Sequence, residues 1–428
     1  MEQLEEITNL ALRAGRIVCE SSGETYRAEE TISIIAHSLG ADIVEPYVIP
    51  TGIMLYTEMK DKQGMLHTAT RVARIRNRTT NLGKISLVNE LSRNIALNHE
   101  HVKYESIESN ISAINNIKPH NALFSVLIAA VSSCLFTIML SGTYLDALVA
   151  AAFGTIMRII LFLLAPLNLS SFITSVIGSS IISFLSSLLF ELGIHLNYTA
   201  INIGSIMYLM SGLAMVIAIR DIIGGDYLSG ITRATEALVI ALSVGLGGVF
   251  GFIVFPNTIA RNGITHIVTD PFLSFMLAAL VTATFAMLFY VKKRLHIFLT
   301  AIVGGIAWLL YIVLLRCEFS NITAVFLGSF SAGIISEIFA LLFKAPSTVF
   351  FIPALISFVP GGSMYATMYN AVLENYSEAL QSLLATISIA GSIALAIAFA
   401  TTIARLIAAY RRKIYAFRFK FIKKNTKF

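Results

Sequence analysis

Between residues 119 and 410 the chain carries ten successive stretches of about 20 mostly apolar residues, the length needed to cross the hydrocarbon of a bilayer as a helix. Inside lipid no water can satisfy the backbone, so segments of this kind become helices that close their own hydrogen bonds. The stretches cover 122–140, 143–165, 172–194, 200–219 and 231–255, then 271–291, 296–315, 321–343, 348–371 and 380–410. They predict a polytopic α-helical membrane protein. An even number of crossings returns both termini to one side.

Only 13% of residues are charged and mean hydropathy is +0.77, against about 25% charged in soluble domains. The charges are unevenly placed. Residues 1–118 hold 28 of them and 119–410 hold 20, while 411–428 hold eight, all positive. Without that tail the net charge of +6 would be −2, so the basic excess is a local patch suited to a membrane surface and not a nucleic-acid face. Loops on the side of the termini carry Arg220, Lys292, Lys293, Arg294 and Lys344, and those on the other side carry Arg261 and Arg316. By the positive-inside rule the termini are expected in the cytoplasm of a multi-pass inner or plasma membrane protein.

Residues 1–118 read as a small cytoplasmic α+β domain. Leu4, Ile7, Leu10, Ala11, Ala14, Ile17 and Val18 recur at helical spacing. A second helix over 25–39 precedes three β-rich runs separated by Pro50-Thr51-Gly52 and the Asp61–Gly64 turn. Two further helices carry Ile85, Val88, Leu91 and Ile95, then Ile107, Ile111 and Ile114. Arg74, Arg76 and Arg78 alternate along the third strand or its exit, as a solvated edge paired with acids such as Glu29 and Glu30 or as an anion or headgroup contact. Cys19, Cys134 and Cys317 are scattered and imply neither a metal knuckle nor a redox pair. His99-Glu100-His101 lacks the spacing of a zinc helix, and His195 and His266 read as interfacial. No metal or cofactor is expected.

Sliding the chain against itself by 149 residues aligns Ser171–Val176 with Ser320–Val325, Gly212 with Gly361, Met215 with Met364 and Tyr227 with Tyr376. The repeat unit holds five spans, placing one half in 119–256 and the other in 270–410, followed by the basic tail 411–428. An odd number of crossings inverts the second half relative to the first, the plan of many secondary transporters.

In such transporters broken helices at corresponding places mark the site. The second half offers Pro353 and Pro360-Gly361-Gly362-Ser363-Met364-Tyr365, which cannot continue an undisturbed helix. Freed N–H groups near Gly361, with Ser363 and Tyr365, could receive a carboxylate. The first-half counterpart, Ser211-Gly212, lacks the proline, so a weaker break is expected there. The deepest ionisable residues are Arg158, Glu236 and Glu337. Arg233 stands one turn from Glu236 and could pair with it; Asp221 and Asp226 flank the Gly224-Gly225 turn. These acids could hold a substrate ammonium, and Glu236 or Glu337 could carry a coupled proton; an Arg–Glu staple or interfacial snorkelling is the alternative for each. The serines of span three and Gly247-x-x-x-Gly251 read as close helix packing.

Gly23-Glu-Thr-Tyr-Arg27 with Glu30, Pro50-Thr-Gly52, Asn81, Asn89, Arg220-Asp221, Gly225-Asp226, Ser229-Gly230, Arg233 and Glu236 resemble the threonine/serine exporter family. So do Lys344-Ala-Pro346, Pro353 and Phe358–Tyr365 in the second half. The resemblance implies a fused ten-span exporter of small hydrophilic metabolites, driven by the ion gradient, with a cytoplasmic N-terminal domain. It leaves amino acids and dicarboxylates such as succinate both open. The partners implied are a small-molecule substrate and the lipid bilayer; a homo-oligomer stays open and nucleic acid is not expected. A membrane-embedded protease or an anchored hydrolase or sensor is the rival class, but no H-E-x-x-H or G-x-S-x-G motif occurs.

Overall fold

The computed structural model describes residues 2–425 apart from 62, 77, 98–102, 119, 195, 210–211 and 256–267. His99-Glu100-His101, His195, Ser211, Arg261 and His266 therefore lie outside the described residues.

The N-terminal domain has the expected order. Helices α1 (Glu2–Glu20) and α2 (Thr25–Ser38) precede strands β1 (Ile43–Ile49), β2 (Gly52–Lys60) and β3 (Leu66–Arg74), then α3 (Leu82–Leu97) and α4 (Tyr104–Asn115). The strands form an antiparallel sheet in the order β1-β2-β3, with Ile49 opposite Gly52 and Gly52 opposite Arg74. The apolar stripe of α1 is buried together with Ile32 and Ile35 of α2, Ile53 and Leu55 of β2, and Ile107 and Ile111 of α4. That is the core which the period-3.6 and period-2 patterns call for.

Eight helices are long and apolar enough to cross a membrane among the described residues. They are α5 (Ala122–Met139), α6 (Tyr144–Leu164), α7 (Ser171–Glu191), α10 (Tyr227–Val254), α11 (Pro271–Leu288), α12 (Arg294–Arg316), α13 (Asn321–Phe343) and α16 (Tyr376–Asn425), the last continuing into the basic tail. Their outward surfaces carry exposed Leu148, Leu163, Phe298 and Leu341, as lipid contact requires.

The remaining two expected spans, the fourth and ninth, are each split. The fourth consists of α8 (Tyr198–Ile206), a 3-10 turn over Met207–Leu209 and α9 (Gly212–Ile223); the ninth consists of α14 (Thr348–Ala354) and α15 (Gly361–Val372). The absence of proline in the first half does not spare it. A 149-residue shift carries α9 onto α15 and α5 onto α11 end for end. The positive-φ joints repeat too, Ser141 matching Tyr290 and Gly225 matching Glu374.

Helix pairing is duplicated likewise. Helix α10 packs on α7 and α9, as α16 packs on α13 and α15. Between the halves α5 meets its own counterpart α11, while α10 meets α15 and α16 meets α9, the reciprocal pattern of a two-fold relation. The N-terminal domain reveals the inversion. Leu82 N–H donates to Phe289 O (2.9 Å) at the end of α11, so that end lies on the near face, beside the domain. The equivalent end of α5 lies on the far face, where Val268 N–H donates to Met139 O (3.2 Å).

Within each half, contacts are close. A Cβ on Gly247 would fall 2.0 Å from Ser179 Oγ, and one on Gly251 would fall 2.3 Å from Ser183 O. Ser183 Oγ donates to Gly248 O at 2.5 Å. The serines of α7 and the glycines of α10 thus bring the two backbones together, and the Ser183 hydroxyl bonds across the seam, donating to Gly248 O and accepting from Gly251 N–H (3.1 Å).

Candidate functional site

Two cavities flank the broken helices. The far-face cavity, about 850 Å³, includes Leu140 at the end of α5 and Gln381 and Ser382 at the start of α16. It extends to Met207, Trp308, Ser357 and the start of α15 at Gly362 and Ser363. The near-face cavity, about 320 Å³, is lined by Met207, Leu209, Ile352 and Ile356 of the two breaks, by Arg233 and Glu236 of α10, and by Ser22, Arg78 and Thr80 of the N-terminal domain. Met207 is 4% exposed and belongs to both linings, so it stands between the cavities.

The repeat relates the two cavities to each other. Of the twelve bundle residues around the near-face cavity, eight have their 149-residue counterpart around the far-face one. Ala214 matches Ser363, Ile217 matches Ala366, Arg233 matches Ser382, Glu236 matches Ala385, Phe285 matches Phe136 and Ile352 matches Ile203. One architectural vestibule has been built twice, on opposite faces. The far-face copy is wide, whereas the near-face copy is narrow and partly walled by the N-terminal domain.

Three residues of the far-face lining, Trp308, Ser357 and Thr199, each carry a buried donor, Nε1, Oγ and Oγ1, with no hydrogen-bond partner among the described residues. Gly361 N–H is already spent on Val359 O (2.7 Å), so the free amides of the α15 first turn are those that follow it, at Gly362 and Ser363. The Ser363 hydroxyl donates to Pro360 O (3.0 Å) and accepts from Thr386 (2.9 Å), which fixes its position. Tyr365 is buried, stacked on Tyr369 at 5.6 Å between centroids, and faces Gly248, where a Cβ would come within 2.7 Å of its ring. No carboxylate lines this cavity among the described residues. A helix N-terminus beside indole and hydroxyl donors supplies hydrogen-bond donors and no acid.

The acids expected beside Gly361 lie elsewhere. Asp226, Arg233 and Glu236 meet the N-terminal domain on the near face, and Asp221 pairs with Arg233 there, because inversion sends the fourth span towards that domain and the ninth away from it. Arg233 (5% exposed) has its Nε 3.1 Å from Asp221 Oδ2, and its Nη2 donates to Gly23 O at 2.8 Å. The expected Arg233–Glu236 pair is replaced: Glu236 accepts from Arg78 Nη2 at 2.5 Å. Arg78 is therefore no part of a solvated strand edge, and Glu29 accepts from Val48 N–H instead of an arginine. Asp226 precedes α10 and accepts from Thr25 Oγ1 at 3.2 Å. Gly212 opens α9 at the first-half break. Arg158 lies over the Phe162 ring (4.9 Å), and neither it nor the half-buried Glu337 lines the two cavities.

Glu24 anchors the docking. Its carboxylate is 2% exposed and is shared by Arg220 of α9 and by Arg27 Nε at 3.1 Å. Burial alone would raise its pKa, but Arg220 and Arg27 outweigh burial and hold it below the usual carboxylate value. Arg220 also lies 5.5 Å from the ring centres of Tyr26 and Phe351. The turn that presents Glu24 needs Gly23, since a Cβ there would sit 2.5 Å from Val18 Cγ1 and 2.8 Å from Val18 O.

Sequence reasoning missed Trp308, Ser357, Thr199 and Met207. Trp308 is the sole tryptophan and lies mid-span, which was a usable signal; Met207 carried none. Trp308 is held by Tyr311 (4.7 Å) and Phe358 (5.2 Å), the latter from the turn between α14 and α15.

Comparison with known proteins agrees with this architecture. A family model described as "Putative threonine/serine exporter" matches residues 9–255, and a second, "Threonine/Serine exporter, ThrE", matches residues 274–403. A protein of Klebsiella aerogenes named "Probable succinate transporter subunit YjjP" is 24% identical over 242 residues, covering 56% of this chain and 91% of its own length. No solved structure matches. A duplicated multi-pass bundle with two related vestibules, matched by these models over both halves, is a transporter, and the chain belongs to the threonine/serine exporter family.

Proposed function

We propose that the protein exports small hydrophilic amino acids, threonine and serine, by alternating access, with the N-terminal domain and basic tail on the cytoplasmic side. The observation that carries this reading is the repeat relation between the two cavities. If each half can adopt the conformation of the other, the near-face vestibule widens as the far-face one closes, with Met207 and Ile356 exchanging roles. A substrate carboxylate binds at the start of α15 with Trp308 and Ser357. Glu236, in the near-face cavity, is the better placed proton carrier, since Glu337 reaches neither vestibule.

A dicarboxylate substrate is the second reading, favoured by the donor-rich, acid-free lining of the far-face cavity. The charge distribution of the loops and tail supports the orientation. Purified protein in liposomes tests both readings. Labelled threonine flux that collapses with an uncoupler, and that serine competes away, supports amino-acid export. Competition by succinate and malate alone transfers the site to dicarboxylates, and amide or peptide cleavage without flux refutes transport. Cysteines placed at the matched positions Ala214 and Ser363, in a background lacking the native ones, should label reciprocally as substrate is added. Parallel labelling would refute the exchange of vestibules.

A further inference from the structure

The N-terminal domain holds a third, separate cavity of about 790 Å³, bounded by α1, the end of β3 and the start of α3. Its lining includes five cations, Arg13, Arg16, Arg74, Arg76 and Lys84, against one acid, Glu20. The cations differ in what they already hold. Arg13 is bonded to Glu108 (2.6 Å) and Ser112 (2.9 Å), and Arg16 to Glu20 (2.7 Å). Lys84 Nζ donates to Asn115 O (2.8 Å), which neutralises no charge. Arg74 and Arg76 make no ion pair among the described residues, unlike Arg78 two positions on. Buried Leu12 and Ile17 supply an apolar wall.

Like charges gathered around a concave surface repel one another, and that cost is relieved when an anion enters. Guanidinium groups offer paired donors matched to phosphate oxygens. The volume exceeds the needs of inorganic phosphate and lies in the range of small-molecule sites. We propose that this cavity binds a phosphate-bearing polyanion, held by Arg74, Arg76 and Lys84, either a free phosphorylated metabolite or a lipid headgroup.

Its place in the fold gives such a ligand something to act on. Thr79 N–H donates to Glu20 O (2.9 Å) and Asn81 N–H to Ser21 O (3.2 Å), joining the exit of β3 to the end of α1. This two-segment wall faces both ways. Ser21 and Thr79 line the anion cavity, while Ser22, Arg78 and Thr80 line the near-face vestibule. An anion fixed on one side of the wall thereby restrains the segment that delivers Arg78 to Glu236 on the other, so ligand binding is coupled to the near-face gate.

The test uses the full chain in nanodiscs. In phosphatidylcholine discs, pyrophosphate titrated by calorimetry should bind saturably, and the Arg74→Ala/Arg76→Ala double variant should weaken binding about tenfold or more. If pyrophosphate does not bind but phosphatidic acid added to the discs is retained in native mass spectrometry and lost in the double variant, the ligand is a headgroup. Binding of neither probe overturns the site. So does an equal loss in Arg71→Ala, whose exposed guanidinium pairs with Glu5 and lies outside the cavity. Folding is not at risk in the double variant, because both side chains are exposed and unpaired.

Discussion

The two halves of the bundle share a backbone plan and divide the chemistry between them. Helices α9 and α15 occupy identical places in the repeat, yet α9 and its successor carry Arg220, Asp221, Arg233 and Glu236 where the second half has Tyr369, Asn370, Ser382 and Ala385. Inversion puts the charged set on the near face, against the N-terminal domain, and the neutral set around the far-face cavity. A duplicated scaffold therefore does not make two equal entrances. One is chemically a docking surface with an Arg78–Glu236 salt bridge beside its cavity, and the other is an uncharged, donor-rich vestibule.

The largest test strikes the charged face. Glu24→Gln leaves Arg220 and Arg27 without their shared, fully buried anion, and breaking such a cluster costs about 3–5 kcal/mol. Thermal unfolding of the full chain should show the domain releasing earlier than in the wild type, and protease should cut sooner between α4 and α5. Unchanged melting and protection would remove Glu24 from the docking role. The same anchor sets a pH dependence. Because the folded-state pKa of Glu24 lies below its ordinary 4.5, docking is fully supported above that value and weakens as pH falls beneath it. Domain release that instead appears on raising the pH would contradict this sign.

A smaller effect is expected on the neutral face. Trp308→Phe keeps the aromatic packing with Tyr311 and Phe358 but deletes the unbonded indole donor. If that donor holds a substrate carboxylate, about 1.5–3 kcal/mol of binding is lost and KM rises tenfold or more with little change in melting temperature. An unaltered KM would take Trp308 out of the site.

The smallest stability change sharpens the contrast between gate and anchor. Glu236 is 40% exposed, so its pair with Arg78 is worth about 0–1 kcal/mol and Glu236→Gln should melt almost as the wild type does. Flux should nevertheless fall, because a glutamine cannot titrate or hold Arg78 as an anion. Wild-type export by this variant would assign Glu236 a purely structural part.

Much of the fold was legible because each element has its own periodicity. The apolar stripe of α1, the alternating strands and the long lipid-compatible spans are local signals, and the repeat was visible in matches such as Met215 with Met364. The break at Pro353 and Pro360-Gly361 could be read from residues that cannot propagate a helix. Its partner near Gly212 was less legible, because Met207–Leu209 contains no helix breaker and nevertheless forms a 3-10 turn.

The candidate site was legible as a set of residues and not as a place. Sequence proximity made Arg233 and Glu236 a natural i, i+3 pair, and only the docked domain supplies Gly23 O and Arg78 as competing partners. Asp221 and Ser363 both fall at broken spans, which suggested one pocket; they stand on opposite faces because five crossings invert the second half.

Sequence alone determined that this chain spans a membrane repeatedly, that its membrane part is duplicated and inverted, and that few charges are retained within it. Those properties follow from hydrophobicity and parity, which are additive along the chain. Tertiary structure alone decided which charges neutralise one another, that Met207 separates two related cavities, and that Trp308 and Ser357 present free donors. These depend on which surfaces meet across long sequence separations, and a buried polar group takes its role from the partner that packing brings to it or withholds.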